Sequence, residues 1–257
     1  MKTLSQIISN LEKHPDVDSV FLTGSQGIDE HKPYSDIDLV VILQTNKHKV
    51  DSLYTWIDRK FSDIFFFDHS DLQRINDNDD LDGNSLDAIF LDWLKKGTIR
   101  FDKTGRLTEL KNRSGSKRIS ITSAEKQKFW QKINYNFVAN SRYFQSDDPV
   151  YHEALEIRLL YGVSEILCGY FEFRNIPWRG EKAAVKYLHD NDEKFYGTFV
   201  TYTKAGDLKT RFQSYKDLAS LVFTEEYKFW QTDDVIPQSK ENGDTKTLVE
   251  YWGELTN

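Results

Sequence analysis

The chain of 257 residues contains a single cysteine, Cys168, and no long uninterrupted apolar run. One thiol excludes a disulfide within the chain and a metal site built from several thiolates. The first residues are amphipathic and charged, without the continuous apolar core of a signal peptide, and no stretch approaches the roughly 18 apolar residues of a membrane span. We therefore expect a cytoplasmic protein that has no membrane partner.

The chain also has fewer basic than acidic residues: 34 Lys and Arg against 41 Asp and Glu give a net charge of −7. Proteins that bind nucleic acid without sequence preference usually present a basic surface, so we expect no nucleic-acid partner. Apolar residues make up 39% of the chain, which is enough for a packed core. The composition favours a folded acidic protein, and such a protein suits a cationic small-molecule substrate.

Residues 1–110 alternate between helix and strand patterns. Apolar runs predict strands at 17–23, 38–43, 63–67 and 98–101, and helices are predicted near the beginning of the chain and at 47–60 and 86–95. This alternation favours a sheet covered by helices. We expect an N-terminal sheet domain with flanking helices over residues 1–110.

The remainder of the chain has helical periodicity from residue 122 onward, with predicted helices at 123–144, 151–173, after Arg179 and within 208–230. Between the halves, residues 111–118 (KNRSGSKR) are basic and contain Ser and Gly, which predicts an exposed linker. The predicted fold class is therefore α+β, with a sheet domain at 1–110 followed by an all-α helical-bundle domain at 119–257.

One segment combines several chemically specific features. An apolar strand ends in Gly24-Ser25, and after ten intervening residues Asp36-Ile37-Asp38 leads into a second apolar strand. Side chains alternate along a strand, so Asp36 and Asp38 face the same side, where two carboxylates are costly without a cation. Carboxylate oxygens suit Mg²⁺, while a Gly-Ser turn can cradle a phosphate. The pattern predicts metal-assisted phosphoryl or nucleotidyl transfer.

A third carboxylate is expected on a neighbouring strand. Asp63 leads the apolar segment Ile64-Phe65-Phe66-Phe67, and Asp68 follows it. By strand alternation Asp68 would face the other side. Asp63 is the preferred candidate, with Asp68 as its rival.

These residues resemble the DNA polymerase β-like nucleotidyltransferase superfamily, whose pattern is Gly-Ser, a gap, Asp-x-Asp and a later strand carboxylate. The sequences KFSDIFFFDHSDL and IRFDKTGRL and the helical second half look most like the aminoglycoside 6-adenylyltransferases. The resemblance implies that Asp36, Asp38 and Asp63 bind two Mg²⁺ ions and that Gly24 and Ser25 hold the triphosphate of ATP. It also implies that Ser35 assists as a polar neighbour.

The sequence departs from the family pattern at Gln26-Gly27, where members often carry an Arg or a small residue. Lys182 or Arg179, near a predicted helix start, could supply the missing positive charge to the nucleotide. A general base is expected early in the helical half. The carboxylates available there are Asp147, Asp148, Glu153 and Glu156. Glu153 is the candidate for accepting the proton of the acceptor hydroxyl.

The sequence therefore predicts an adenylyltransferase that moves AMP from ATP to a hydroxyl of a small molecule and releases pyrophosphate. The expected acceptor is an aminoglycoside-like cation held between the acidic catalytic face and the helical domain, and the expected state is a monomer or homodimer. One alternative is an enzyme that transfers AMP to a protein. Another is a catalytically silent nucleotide-binding regulator.

Overall fold

The computed structural model describes residues 2–24, 35–232 and 234–236, with residues 250, 252, 254 and 255. The chain divides into two compact units. The first comprises Met1–Glu125 and Asn175–Lys186, and the second comprises Lys126–Arg174 and Tyr187–Asn257. The chain therefore enters the first unit twice.

The first unit is built on a mixed sheet flanked by helices. Its elements are α1 (Leu4–Lys13), β1 (Val17–Thr23), β2 (Ile37–Leu43), β3 (Ser52–Ile57), β4 (Lys60–Asp68), α2 (His69–Asp77), β5 (Asp80–Asp82), α3 (Leu86–Lys96), β6 (Thr98–Asp102), α4 (Arg106–Arg113) and β7 (Arg118–Ser120). The five-stranded sheet has the order β3-β4-β2-β1-β6, in which β2 and β4 are parallel. A second, two-stranded sheet pairs β5 with β7.

Both faces of the central strands are covered. Alternate positions of β2 belong to separate apolar clusters, with Val40 and Ile42 on one face and Leu39 and Val41 on the other. Helix α1 covers the second face, whereas α2, α3 and α4 supply residues to the first. This two-sided burial explains why Val20–Leu22 of β1 and Leu39–Leu43 of β2 are continuous apolar runs rather than alternating ones.

The predicted helix at residues 47–60 is wrong. Residues 52–57 form β3, which pairs antiparallel with β4. The two-residue turn between them is Asp58-Arg59, with φ of 51° and 66°, the backbone sign expected for a type I′ hairpin. The aromatic and β-branched residues of β3 fit a strand better than a helix, and Trp56 lies opposite Phe61 on β4.

Residues 111–118 are predicted to form an exposed linker; most of them are exposed, but they lie within the first unit and do not connect it to the second. These residues complete α4, form a short 3₁₀ helix at Ser114–Ser116 and begin β7. The Lys117 ammonium is fully buried and donates to the Asn76 carbonyl at 2.5 Å, the Asn78 carbonyl at 3.0 Å and the Asp79 carboxylate at 3.0 Å. These three acceptors compensate the positive charge of Lys117, so this lysine is buried although its charge favours an exposed position. The division between units falls after Glu125 instead.

The second unit is helical. It contains most of α5 (Ser123–Phe144), then α6 (Pro149–Phe173), the end of α7 (Glu181–Asn191), α8 (Glu193–Lys204) and α9 (Leu208–Val222). Helix α9 packs on α6 and α8. Helix α8 was missed by the sequence pattern. Among the described residues, no helix is long and apolar enough to cross a membrane.

Candidate active site

Three carboxylates meet at the beginning of β2. Asp38 and Asp63 are Cα partners in the parallel β2–β4 pair, and Asp36 lies two residues before Asp38 on the same side. One oxygen from each of the three side chains lies within 4.8 Å of the others. The face that carries Asp38 also carries Val40 and Ile42 in the core beneath α2–α4. The strand register therefore places the acidic group at the edge of that apolar layer.

The charges of this cluster are mutually unfavourable. Burial, followed by the nearby Asp36 and Asp63 carboxylates, raises the pKa of Asp38 to about 6, against an opposing effect of Lys182. Burial and then Asp36 also raise the pKa of Asp63. Asp63 Oδ1 is buried and accepts no hydrogen bond from any residue that the structure describes. Clustered, under-satisfied carboxylate oxygens are what a hard divalent cation would compensate, so this donor set fits Mg²⁺.

Gly24 follows directly after β1 and packs against the Asp38 carboxylate of the acidic cluster. Its φ is +61°, and a Cβ built at this position would lie 2.0 Å from Asp38 Oδ2. The left-handed conformation and the close approach each require glycine here. The predicted turn residue thus lies directly beside the predicted metal-ligand carboxylate.

A cleft of about 500 Å³ opens at this point within the first unit. Its lining includes Thr23, Gly24, Ser35, Asp38, Ile89, Asp92, Trp93, Lys96, Trp178, Arg179, Gly180, Lys182 and Ala183. The predicted residues Gly24, Ser35, Asp38 and Lys182 therefore border one cavity. Its size is in the range of small-molecule sites.

Four residues of α3 that sequence reasoning did not select also line the cleft. They are Ile89, Asp92, Trp93 and Lys96, and their spacing of three and four places them on one helix face. That spacing is visible in the sequence. The helix periodicity alone could not indicate that this face borders the acidic cluster, because that depends on which sheet face α3 covers.

The two candidate cations have different surroundings. Arg179 forms an ion pair with Asp92 and donates to the Gly83 carbonyl at 2.9 Å and the Trp178 carbonyl at 2.7 Å. Lys182 is exposed on the first turn of α7 and acts electrostatically on Asp38. Lys182 is the better candidate for an incoming anion, because it is exposed whereas the Arg179 charge is paired with Asp92. Arg179 Nη2 is nevertheless buried without a hydrogen-bond partner among the described residues.

The remaining predicted residues lie elsewhere. Ser25 is outside the described residues. Asp68, the rival of Asp63, is the N-cap of α2, where its Oδ1 accepts from Ser70 N at 2.8 Å and Asp71 N at 3.2 Å. Burial would raise the pKa of Asp68, but hydrogen bonds from Ser70, Asn46 and Asp71 outweigh it and lower that pKa. Glu153 is an exposed residue near the start of α6, in the second unit.

Comparison with known proteins finds a family similar to part of the first unit. Residues 5–85 match the family model described as "Polymerase beta, Nucleotidyltransferase", a range that includes Gly24 and all three clustered aspartates. The N-terminal third of the chain is therefore similar to nucleotidyltransferase domains of the polymerase β type.

No curated protein matches the chain. Among solved structures, a nucleotidyltransferase-like protein from Exiguobacterium sibiricum 255-15 is 14% identical over 85% of this chain and 72% of that chain, with a TM-score of 0.45. This structural similarity is too weak to support any statement about function. The narrower resemblance to the aminoglycoside adenylyltransferases stays a prediction.

Proposed function

We propose that the protein is a Mg²⁺-dependent adenylyltransferase that moves AMP from ATP to a hydroxyl of a small cationic molecule. The observation that carries this proposal is the acidic cluster, whose three carboxylates lie within 4.8 Å of one another inside a nucleotidyltransferase-type domain. Nucleotidyl transfer asks a protein mainly for positioning and for neutralisation of phosphate charge. The cleft beside the cluster has room to position a nucleotide, and Lys182 in its lining can help to neutralise the phosphate charge.

The proposed roles follow the geometry of the first unit. Asp36, Asp38 and Asp63 would hold Mg²⁺, which supplies charge neutralisation at the phosphates when bound. Gly24 lets the backbone approach the triphosphate closely, and Ser25 and Ser35 are the proposed hydroxyl donors. Lys182, which lines the same cleft, is the proposed cationic contact to the nucleotide.

In the proposed reaction the acceptor hydroxyl oxygen attacks the α-phosphorus of ATP. A new oxygen–phosphorus bond forms, the bond between the α-phosphorus and the bridging oxygen breaks, and pyrophosphate leaves. Glu153 is the proposed general base for the hydroxyl proton. The chain contributes alignment of the reacting atoms, which can supply a large part of a rate enhancement.

The proposed acceptor is an aminoglycoside-like cation. The chain has a net charge of −7, and a negative field accelerates encounter with a positive ligand more than it strengthens final binding. Raising the salt concentration should therefore slow association with such an acceptor. A protein acceptor is the competing possibility.

The direct test is incubation of the purified protein with radiolabelled ATP, GTP, CTP or UTP, Mg²⁺ and a panel including streptomycin, kanamycin and lincomycin. We expect labelled nucleotide on one compound of the panel and release of pyrophosphate from ATP. The Asp36→Asn variant should be inactive. The Asp51→Asn variant, which makes the same charge change at an exposed position outside the cluster, should remain active.

The outcomes separate the candidates. Label on a protein from the same cell, with none on the panel, would overturn the small-molecule acceptor and keep the transfer chemistry. No transfer to any acceptor, together with tight nucleotide binding, would favour the silent regulator.

A further inference from the structure

Residues 175–186 form a return segment, which belongs to the first unit although the chain on both sides of it belongs to the second. The backbone turns sharply at two positions of the segment. Asn175 has a φ of 56° and Gly180 a φ of 84°, and α7 begins directly after Gly180. Between these turns lie Trp178 and Arg179, both of which border the cleft.

Polar contacts to α3 and to the loop before it hold this segment in place. Arg179 Nε donates to Asp92 on α3, and its Nη1 donates to the Gly83 carbonyl at 2.9 Å. The Trp178 backbone N–H donates to Asn84 Oδ1 at 3.3 Å. The planar guanidinium can satisfy several acceptors in one fixed orientation, which a lysine ammonium cannot do in the same way.

Gly83 also fits the segment sterically. A Cβ at Gly83 would lie 2.8 Å from Ile121 Cδ1 and 3.1 Å from Pro177 Cγ. Any side chain at residue 83 would therefore push against Pro177, immediately before Trp178. Gly83 therefore contributes to the docking of the return segment in two ways. Its carbonyl accepts a hydrogen bond from Arg179, and its lack of a side chain lets Pro177 pack closely against it.

Docking fixes the position of Lys182. Lys182 lies three residues after Arg179, on the first turn of α7, so its backbone moves with the anchored segment. Its side chain is exposed and borders the cleft together with Asp38 and Gly24. A charge on a long flexible side chain reaches a given point more often when its backbone is held in place.

We infer that the Asp92–Arg179 ion pair and Gly83 are a positioning device, which holds the return segment against α3 so that Lys182 meets the phosphates of the bound nucleotide. This inference rests on the proposed function for the identity of the ligand. In this inference Arg179 and Asp92 act through Lys182, by holding the segment that carries it.

The test is a double-mutant cycle on the full chain. Binding of α,β-methylene-ATP with Mg²⁺ is measured by calorimetry for wild type, Arg179→Gln, Lys182→Gln and the double variant. We expect each single substitution to weaken binding about tenfold, since small misplacements of a binding group have effects of this order or larger. In the Lys182→Gln background the Arg179→Gln substitution should cost less than about twofold, because coupled residues are not additive.

A matched control uses a second arginine–aspartate pair in which the aspartate, like Asp92, lies on α3. Arg74 pairs with Asp87 of α3 at 2.7 Å, so Arg74→Gln breaks another arginine–aspartate pair to that helix while leaving the cleft lining intact. Gly83→Ala should weaken nucleotide binding as Arg179→Gln does. Gly115→Ala, where an added Cβ meets nothing within 4 Å, should leave binding unchanged.

Hydrogen–deuterium exchange provides a readout that needs no ligand. Peptides covering residues 178–186 should exchange faster in Arg179→Gln and Gly83→Ala than in wild type, Arg74→Gln or Gly115→Ala. Unchanged exchange in these peptides would overturn the docking role. Equal losses of affinity from Arg179→Gln in both Lys182 backgrounds would overturn the action through Lys182. Failure of the wild-type protein to bind any nucleotide would overturn the proposed function and the nucleotide role of Lys182, while the exchange data would still decide the docking.

Discussion

Removing the charge of Asp38 should stabilise the metal-free protein at neutral pH. Burial and two neighbouring carboxylates raise the pKa of Asp38 from 3.8 to about 6, so the folded state binds this proton more tightly than the unfolded state. The contribution of Asp38 therefore becomes unfavourable as pH rises through the interval between these values and is fully unfavourable above pH 6. The Asp38→Asn variant removes that penalty.

The size of the effect follows from the shift. At about 1.4 kcal/mol per pKa unit, the full penalty would be roughly 3 kcal/mol. Asp38 is only half-buried, and solvent screening reduces this to about 1–2 kcal/mol. For a protein of this size the gain corresponds to a rise of roughly 2–8 °C in Tm. Thermal unfolding in the presence of a chelator, at pH 4 and pH 7, measures it.

The pH dependence and a control decide the cause. The gain from Asp38→Asn should be present at pH 7 and nearly absent at pH 4, whereas Asp51→Asn should show little gain at either pH. With Mg²⁺ and ATP present, wild type should gain stability through binding while Asp38→Asn should not. An equal gain at both pH values, or none at pH 7, would refute the electrostatic explanation.

Four further substitutions test other parts of the structure. Gly24→Ala should abolish nucleotide binding in calorimetry, because a Cβ would lie 2.0 Å from Asp38 Oδ2; wild-type affinity would contradict this. Lys117→Met should lower the free energy of unfolding in urea by about 2–4 kcal/mol, because it leaves buried acceptors without their donor; a neutral effect would show that water replaces the ammonium. Asp63→Asn should remove Mg²⁺-dependent stabilisation, whereas Asp68→Ala should keep it and lose about 1 kcal/mol of unfolding free energy with the helix cap. The reverse pattern would make Asp68 the metal ligand.

The strands that carry the acidic cluster were predictable because their sequence signals are local. The apolar run of β1 and the Asp-x-Asp lead into β2 specify two strands that are buried on both faces, and the structure confirms the predicted sheet domain with a helical half after it. The choice of Asp63 over Asp68 required only strand alternation, and the structure places Asp63 in the acidic cluster. These inferences depend on side-chain periodicity, which does not change with tertiary context.

The errors arose where tertiary context overrode composition. Asp58-Arg59 lacks the glycine or asparagine that usually marks a type I′ turn, so no local signal predicts the β3–β4 hairpin, and the sequence predicts a helix there instead. Residues 111–118 are polar enough for a linker, but the ammonium of Lys117 finds its acceptors on residues about 40 positions earlier in the chain. No local pattern reports partners at that separation. The same holds for Arg179, whose partner Asp92 lies 87 residues away.

The discontinuous first unit constrains how this protein can be cut or recombined. A fragment that ends at Glu125 contains the whole sheet yet lacks residues 175–186, and with them Lys182 and part of the cleft wall. Topologically, Lys126–Arg174 is an insertion within the first unit rather than a domain appended to it. Exchange of the helical half between homologous proteins must therefore either carry the return segment along with it or keep the recipient's own return segment in the new sequence.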